Sequence, residues 1–351
     1  MEFREVISLL ERLIKTPSIS RDEYAVADII WDEFLRLGFQ PLRKGNNVWA
    51  EAWAYDAGKP TILLDAHLDT VKPVAGWVRN PFTPSVEGER LYGLGSNDTG
   101  ASLVSLIATF VRLAQSEQPY NLICLASAEE EVTGAGGVRM VLEALPKIDF
   151  AIVGEPTQMH PAVAERGLMV LDCVAKGVSG HAAREEGVNA IYQAMQDIEW
   201  FRSYTFPRVS PMLGAVKMSV TGIEAGTQHN VIPSECRFMV DVRVNECYRN
   251  EELLALVREQ VQSEVTPRST HLSSSFIAED HPAVKRLKDM GRVAFASPTM
   301  SNQAVMPFTT LKLGPGDSAR SHTADEYILL SEIEQALEIY YDLLDGLKIN
   351  S

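Results

Sequence analysis

Residues 61–69 read Thr-Ile-Leu-Leu-Asp-Ala-His-Leu-Asp. The apolar run 61–66 predicts a buried strand, and it is followed by two side chains able to ligate a metal, His67 and Asp69. The pattern recurs twice. Residues 122–126 (Leu-Ile-Cys-Leu-Ala) are followed by Glu129, Glu130 and Glu131, and residues 150–153 (Phe-Ala-Ile-Val) by Glu155. Helical spacing over 102–113 separates the first two runs, and over 137–145 the second from the third. Strands alternating with helices predict an α/β fold with a largely parallel sheet flanked by helices. In such sheets ligands bind beyond the carboxyl ends of the strands, which is where all three runs deliver their imidazole and carboxylates.

Working outward, Phe3, Val6, Ile7, Leu10, Leu13 and Ile14 recur at helical spacing and predict an opening amphipathic helix, stopped by Thr16-Pro17-Ser18. Ser331-Glu332-Ile333-Glu334 reads as a capping box that opens a final helix, with Ile333, Leu337, Tyr340, Tyr341 and Leu344 inward. Between them the periodicity changes. Strands at 168–175, 214–220, 237–244 and 271–277, with helices at 188–201 and 251–265, give the order β-α-β-β-α-β of a ferredoxin-like split motif. At about 150 residues per domain, 351 residues make two domains. The expected division is a first part at 1–167, an inserted domain at 168–277 and the returning part at 278–351.

Composition narrows the function. Hydrophobic residues at 46% and charged residues at 23% are those of an ordinary globular chain. A net charge of −15 repels phosphate backbones and anionic lipid, so neither nucleic acid nor membrane is an expected partner. The opening Met1-Glu2-Phe3-Arg4-Glu5 lacks the apolar run of a signal peptide. The longest apolar stretch, 103–114, is broken by Arg112 and too short to span a bilayer. The four cysteines, Cys124, Cys173, Cys236 and Cys247, form no Cys-x-x-Cys pair and no disulfide framework. A cytoplasmic protein is expected.

Each chemical motif has a sharp and a bland reading. In a strand, His67 and Asp69 face the same side, so the Asp69 carboxylate can accept the second ring N–H of a metal-bound imidazole; a core histidine held by an aspartate gives the same pattern. Residues 94–100, Leu-Gly-Ser-Asn-Asp-Thr-Gly, are no dinucleotide fingerprint. Asp98 on so constrained a loop suits a bridging metal ligand or a helix N-cap. Glu129, Glu130 and Glu131 raise one another's pKa values if buried without a cation, and are otherwise an exposed acidic turn. Their uncharged flanks, Ser127-Ala128 and Val132-Thr133-Gly134, favour a site. Ser321, His322 and Asp325 suggest a triad, but no Gly-x-Ser-x-Gly elbow exists and adjacent residues would not converge. A metal-ligand role fits His322 better. His181, after the first strand of the insert, reads as a loop or helix-cap histidine.

Taken together, His67-Leu68-Asp69-Thr70-Val71, Gly95-Ser96-Asn97-Asp98, Ala128-Glu129-Glu130-Glu131, Gly154-Glu155-Pro156-Thr157, Gly180-His181-Ala182-Ala183, Asn230-Val231-Ile232-Pro233 and Ser321-His322-Thr323-Ala324-Asp325-Glu326 span nearly the whole chain. It resembles the acetylornithine deacetylase, succinyl-diaminopimelate desuccinylase and carboxypeptidase G family of two-metal peptidases and deacylases. The resemblance implies a zinc-hydrolase-type α/β domain with an inserted ferredoxin-like lid that also makes a homodimer. It implies two divalent ions, Zn2+ or Co2+. One is held by His67 and Glu155, the other by Glu131 and His322, and Asp98 bridges them with a cis peptide after it. By the same resemblance Asp69 orients His67, Glu130 is the general base, and His181 reaches across the dimer to stabilise the oxyanion. Arg166, Asn230 and Arg243 match substrate-binding positions. Relatives usually carry Asp-Met-Lys-Gly where this chain has Asp98-Thr99-Gly100-Ala101, and Asp-Glu-Glu at Glu129-Glu130-Glu131; these departures leave the substrate open. The implied activity is removal of an N-acyl group from an amino acid, first N-acetylornithine to ornithine and acetate. Desuccinylation of N-succinyl-ornithine or N-succinyl-diaminopimelate, dipeptide or acyl-amino-acid hydrolysis, and a non-catalytic binding role are the alternatives. Intact His67, Asp98, Glu130, Glu131, Glu155 and His322 argue against the last.

Overall fold

The structure is a computed structural model that describes residues 1–184 and 186–349. The chain divides into two compact units, one of Met1–Val163, Phe276–Phe295 and the residues from Ser301 onward, the other of Ala164–Ser275 and Ala296–Met300.

The sheet of the first unit runs in the spatial order Leu42–Lys44, Asn47–Glu51, Asn121–Ser127, Thr61–His67, Phe150–Val153, Thr309–Lys312. Thr61–His67 pairs in parallel with Asn121–Ser127 and Phe150–Val153, and the latter in parallel with Thr309–Lys312. Asn47–Glu51 adds to the other side antiparallel. Every residue of the three strands read from sequence is buried, as continuous apolar runs require when a sheet is covered on both faces. Helix Ala101–Leu113 is buried over most of its surface and packs against helices Phe3–Lys15 and Leu330–Leu344. The parallel strands therefore end together on one edge.

Two local expectations change here. The final helix begins at Leu330, and the Glu332 carboxylate accepts from the N–H of Leu329 at 3.0 Å, so Ser331 lies inside the helix and is not its cap. The helix expected at 137–145 is only Val138–Leu142; the chain turns ahead of Pro146, whose ring disfavours helix in the residue before it.

In the second unit, antiparallel strands lie in the order Lys217–Ala225, Glu235–Val244, Gly167–Lys176, Glu264–Pro267. Alternate residues of Gly167–Lys176 and Glu235–Val244 pack with helices Ala190–Ser203 and Asn250–Gln260 in one core. This is the ferredoxin-like arrangement. Its last helix and strand depart from expectation. The helix stops at Gln260 because the buried Asp197 carboxylate accepts from the N–H groups of Gln262 (3.0 Å) and Ser263 (2.8 Å), drawing the chain out of the helix. Val265 then points inward from the edge strand, where Pro267 needs no N–H. Of 271–277, only Ser275–Phe276 is strand. No helix among the described residues is long and apolar enough to cross a membrane.

Candidate metal centre

The carboxyl ends of three parallel strands of the first unit and two loops bring six polar side chains together. His67 closes Thr61–His67, Glu130 and Glu131 form a short turn after Asn121–Ser127, and Glu155 follows Phe150–Val153. Asp98 comes from the loop before helix Ala101–Leu113, and His322 from the segment before strand Tyr327–Leu329. His67 Nε2 lies 3.2 Å from Asp98 Oδ1 and 3.8 Å from Glu155 Oε1. On the other side, His322 Nε2 lies 3.0 Å from Glu131 Oε2 and 3.6 Å from Asp98 Oδ2. Asp98 thus presents one oxygen to each imidazole. Its side chain caps nothing, since the helix N-cap is Gly100, and the Asp98–Thr99 peptide is cis. His322 and Glu129 hold left-handed backbone, φ 58° and 54°, the strained geometry that clusters at functional sites.

Potential donor atoms of His67, Asp98 and Glu131, and likewise of His67, Glu130 and Glu155, lie within 4.8 Å of one another. Electrostatics says what such a group needs. Burial, with the charges of Glu131, Asp98 and Asp69, pushes the Glu130 carboxyl up to about 8. Burial and Glu130 push Glu155 well above the usual carboxylate range. The hydrogen bond to Glu131 raises His322 to about 9. Burial opposes a charge on His67, yet hydrogen bonds with Asp69 and Asp98 and the charge of Glu130 push its pKa well up. Buried like charges of this kind call for a cation. Imidazole nitrogens with carboxylate oxygens suit a divalent ion such as zinc, so the residues present fit cations on either side of Asp98.

Asp69 is placed differently from the strand reading. The chain leaves the strand at His67, so strict alternation no longer applies, and His67 Nδ1 meets the backbone carbonyl of Asp69 at 2.9 Å. The Asp69 carboxylate, 3.5 Å from Nδ1, accepts from the N–H of Glu130 (3.0 Å), the N–H of Glu131 (3.3 Å) and the Ser20 hydroxyl (2.7 Å). It holds the glutamate turn as well as flanking the imidazole. Glu129 turns away, accepting from the N–H of Gly136 at 3.2 Å; a Cβ at Gly136 would lie 2.3 Å from its Oε1.

The remaining sequence candidates belong to the second unit. His181 is exposed on a short strand, Gly180–His181, paired with Val231–Ile232, and the Asn230 carbonyl accepts from Ala182 at 3.1 Å. Arg243 pairs with Asp241 at 2.8 Å. Arg166 donates to the carbonyls of Ala215 and Leu213, and burial lowers its pKa.

Sequence reasoning missed three supports. Glu23 accepts from the N–H of Glu129 at 3.2 Å, and Asn47 Oδ1 from that of Ala128 at 2.9 Å. Nothing local marks either residue, because each acts on a segment far along the chain. The third, Glu326, accepts backbone N–H groups of the Asp98 loop; it stands in the quoted His322 motif, and its neighbourhood was the available signal.

A model of peptidase family M20/M25/M40 matches residues 63–346. The chain is 27% identical over 371 aligned positions to an acetylornithine deacetylase of Proteus mirabilis, covering 97% of this chain and 96% of the relative. It is also 27% identical over 387 positions to a succinyl-diaminopimelate desuccinylase of Verminephrobacter eiseniae, with the same coverage. Among solved structures, aminopeptidase PepT of Bacillus cereus superposes with a TM-score of 0.77 at 17% identity over 98% of both chains. A dinuclear metal-binding M20 peptidase of Bacillus subtilis gives 0.74 at 18% over 97% of both.

Proposed function

The chain belongs to peptidase family M20/M25/M40 and is a hydrolase of amide bonds, and from this premise we propose that it is a two-metal deacylase that releases an acyl group from the nitrogen of an amino acid. The observation that carries this reading is Asp98, with one oxygen toward His67 and the other toward His322. His67 and Glu155 would hold one divalent ion, Zn2+ or Co2+, and Glu131 and His322 the other. Such a pair acidifies water and polarises an amide carbonyl. Glu130 takes a proton from the attacking water and passes it to the leaving nitrogen, so that water and an amide become a carboxylate and an amine. Positioned acid–base help of this kind contributes about 10²–10⁴-fold. Asp69 keeps Glu130 in place through its backbone. His181 donates to the developing oxyanion, and Arg166, Asn230 and Arg243 bind substrate.

The preferred substrate is N-acetylornithine, giving ornithine and acetate in arginine biosynthesis. A succinyl tail carries a second carboxylate and asks for a free cation. The acetylornithine deacetylase relative supports the neutral acetyl group, which needs no such cation. The desuccinylase relative keeps succinyl-ornithine and succinyl-diaminopimelate as the second reading. The setting is the cytoplasm. The assembly is a homodimer through the second unit, supported by its edge strand Lys217–Ala225 and by the exposed Tyr192, Met195 and Ile223.

The test is a release assay with Zn2+ or Co2+ restored to chelator-treated protein. Acetylornithine is expected to give the highest kcat/KM in a panel with succinyl-ornithine, succinyl-diaminopimelate and a dipeptide. Faster release of succinate would overturn the substrate, and no metal-dependent hydrolysis of any member would overturn the deacylase reading.

A further inference from the structure

Glu326 has no part in the chemistry above, yet it is 1% exposed and lies beside the loop that carries Asp98. Its Oε1 accepts from the N–H groups of Asn97 (2.8 Å) and Asp98 (2.9 Å), and its Oε2 from that of Gly95 (3.3 Å). Backbone N–H groups of one turn that converge on an oxyanion form an anion-binding nest; here the anion is a side chain of the same protein. The turn depends on Gly95, whose φ of 74° is left-handed and at which a Cβ would lie 2.7 Å from Thr70 Cγ2.

The carboxylate is itself fixed. The Glu326 carbonyl accepts from Gly93 at 3.0 Å, and the next residues, Tyr327–Leu329, pair antiparallel with Arg90–Tyr92. A second tie runs the opposite way. Asn97 Nδ2 donates to the Asp317 carbonyl (3.1 Å) and the Ser321 hydroxyl (3.3 Å), while its Oδ1 accepts from the N–H of Asp317 (3.0 Å). The loop carrying Asp98 and the segment carrying His322 are therefore latched in both directions.

The chemistry of the latch needs a carboxylate. An amide of the same shape offers one acceptor oxygen and turns an NH2 group against N–H donors. An amide here would relieve repulsion with Asp98 but lose at least one of these bonds, and two if its NH2 group faces Asn97 and Asp98.

We propose that Glu326 is a positioning residue that holds Asp98 at its distance from His322 by binding the backbone of the Asp98 loop, and thereby sets the affinity of the centre for its cations. This rests on the two-metal reading above. Removing a support around metal ligands lowers affinity by about 10–100-fold, and Glu326→Gln is expected to weaken binding by that amount at the ion shared by Asp98, Glu131 and His322.

The experiment titrates metal-stripped wild-type protein and Glu326→Gln with Co2+ alone, followed by calorimetry and by the visible Co2+ absorption, which reports ligand geometry. Wild type is expected to bind two ions per chain. The variant is expected to show the weaker step together with a changed visible band. If wild type binds two ions and Glu326→Gln binds both within twofold of its affinity and with the same spectrum, the proposal fails, even if the variant melts earlier. If wild type binds no ions, the two-metal reading fails, and this inference with it. Should Glu326→Gln not fold, Glu326→Asp takes its place: it keeps both oxygens but withdraws them by one methylene, and unchanged Co2+ affinity there overturns the proposal equally.

Discussion

Glu130 is the residue on which turnover is expected to depend most. It lies in a ring of carboxylates with His67, and burial holds its pKa near 8 in the metal-free protein, so a bound cation is what makes it a carboxylate able to accept a proton at neutral pH. Glu130→Ala is expected to lower kcat by at least about 10²–10⁴-fold while two ions per chain remain, since it supplies neither side of Asp98 in the proposed ligand set. Turnover measured beside metal content checks this, and near wild-type turnover would refute the base assignment. His67, Asp98, Glu155 and His322 were legible because each ends a run or stands in a constrained motif. The exact duty of Asp69 was not, because its carboxylate serves amides 61 and 62 residues along the chain, a partner that no local spacing encodes. Asp69→Asn replaces one of those acceptor oxygens with a donor, and the expected signature is a fall in kcat with little change in KM.

At the scale of elements, the strands that deliver the ligands are held against helix Ala101–Leu113 at one tight point. A Cβ on Gly154, the residue before Glu155, would lie 2.9 Å from both Leu106 Cδ1 and Ser102 Cβ and 3.1 Å from Ala66 Cβ. Ser102 Cβ and Ala66 Cβ are fixed to backbone, and the Leu106 methyl is fully buried. Gly154→Ala is therefore expected to destabilise the fold by about 1–3 kcal/mol, the usual overpacking cost, read as a lower midpoint in denaturant with an unchanged slope. A midpoint equal to wild type would mean that the helix yields freely. The three ligand-bearing strands were legible because buried parallel strands need unbroken apolar runs. The end of the second unit was not. Val265 continues the apolar period of helix Asn250–Gln260, and only Asp197, from another helix, decides that the chain leaves the helix before it.

For the whole molecule, the acid balance of −15 and the carboxylate centre act together. In the metal-stripped chain, Glu130 is raised from 4.5 to about 8, chiefly by burial, and His322 from 6.5 to about 9, chiefly by its hydrogen bond to Glu131. Both hold protons in the folded state that the unfolded chain releases earlier. The stability they contribute is present in full below the unfolded values and is lost as pH rises through the folded ones. The melting temperature of metal-free protein is thus expected to fall between about pH 5 and 8, and added Zn2+ to flatten the slope; a rise over that window would contradict the assignment. The sharing of sites is a property of the assembly. If His181 of one subunit serves the centre of the other, a hybrid of His181→Ala and Glu130→Ala chains contains one site with both residues intact and one with neither. Each homodimer alone is expected to be inactive. Random exchange makes half the dimers hybrid, so mixing is expected to restore about a quarter of wild-type activity, as the symmetry of a two-fold dimer requires. Subunit exchange is followed independently by mass-tagged chains. Exchange without recovery would place His181 and Glu130 in the service of the same subunit, or His181 outside the reaction altogether.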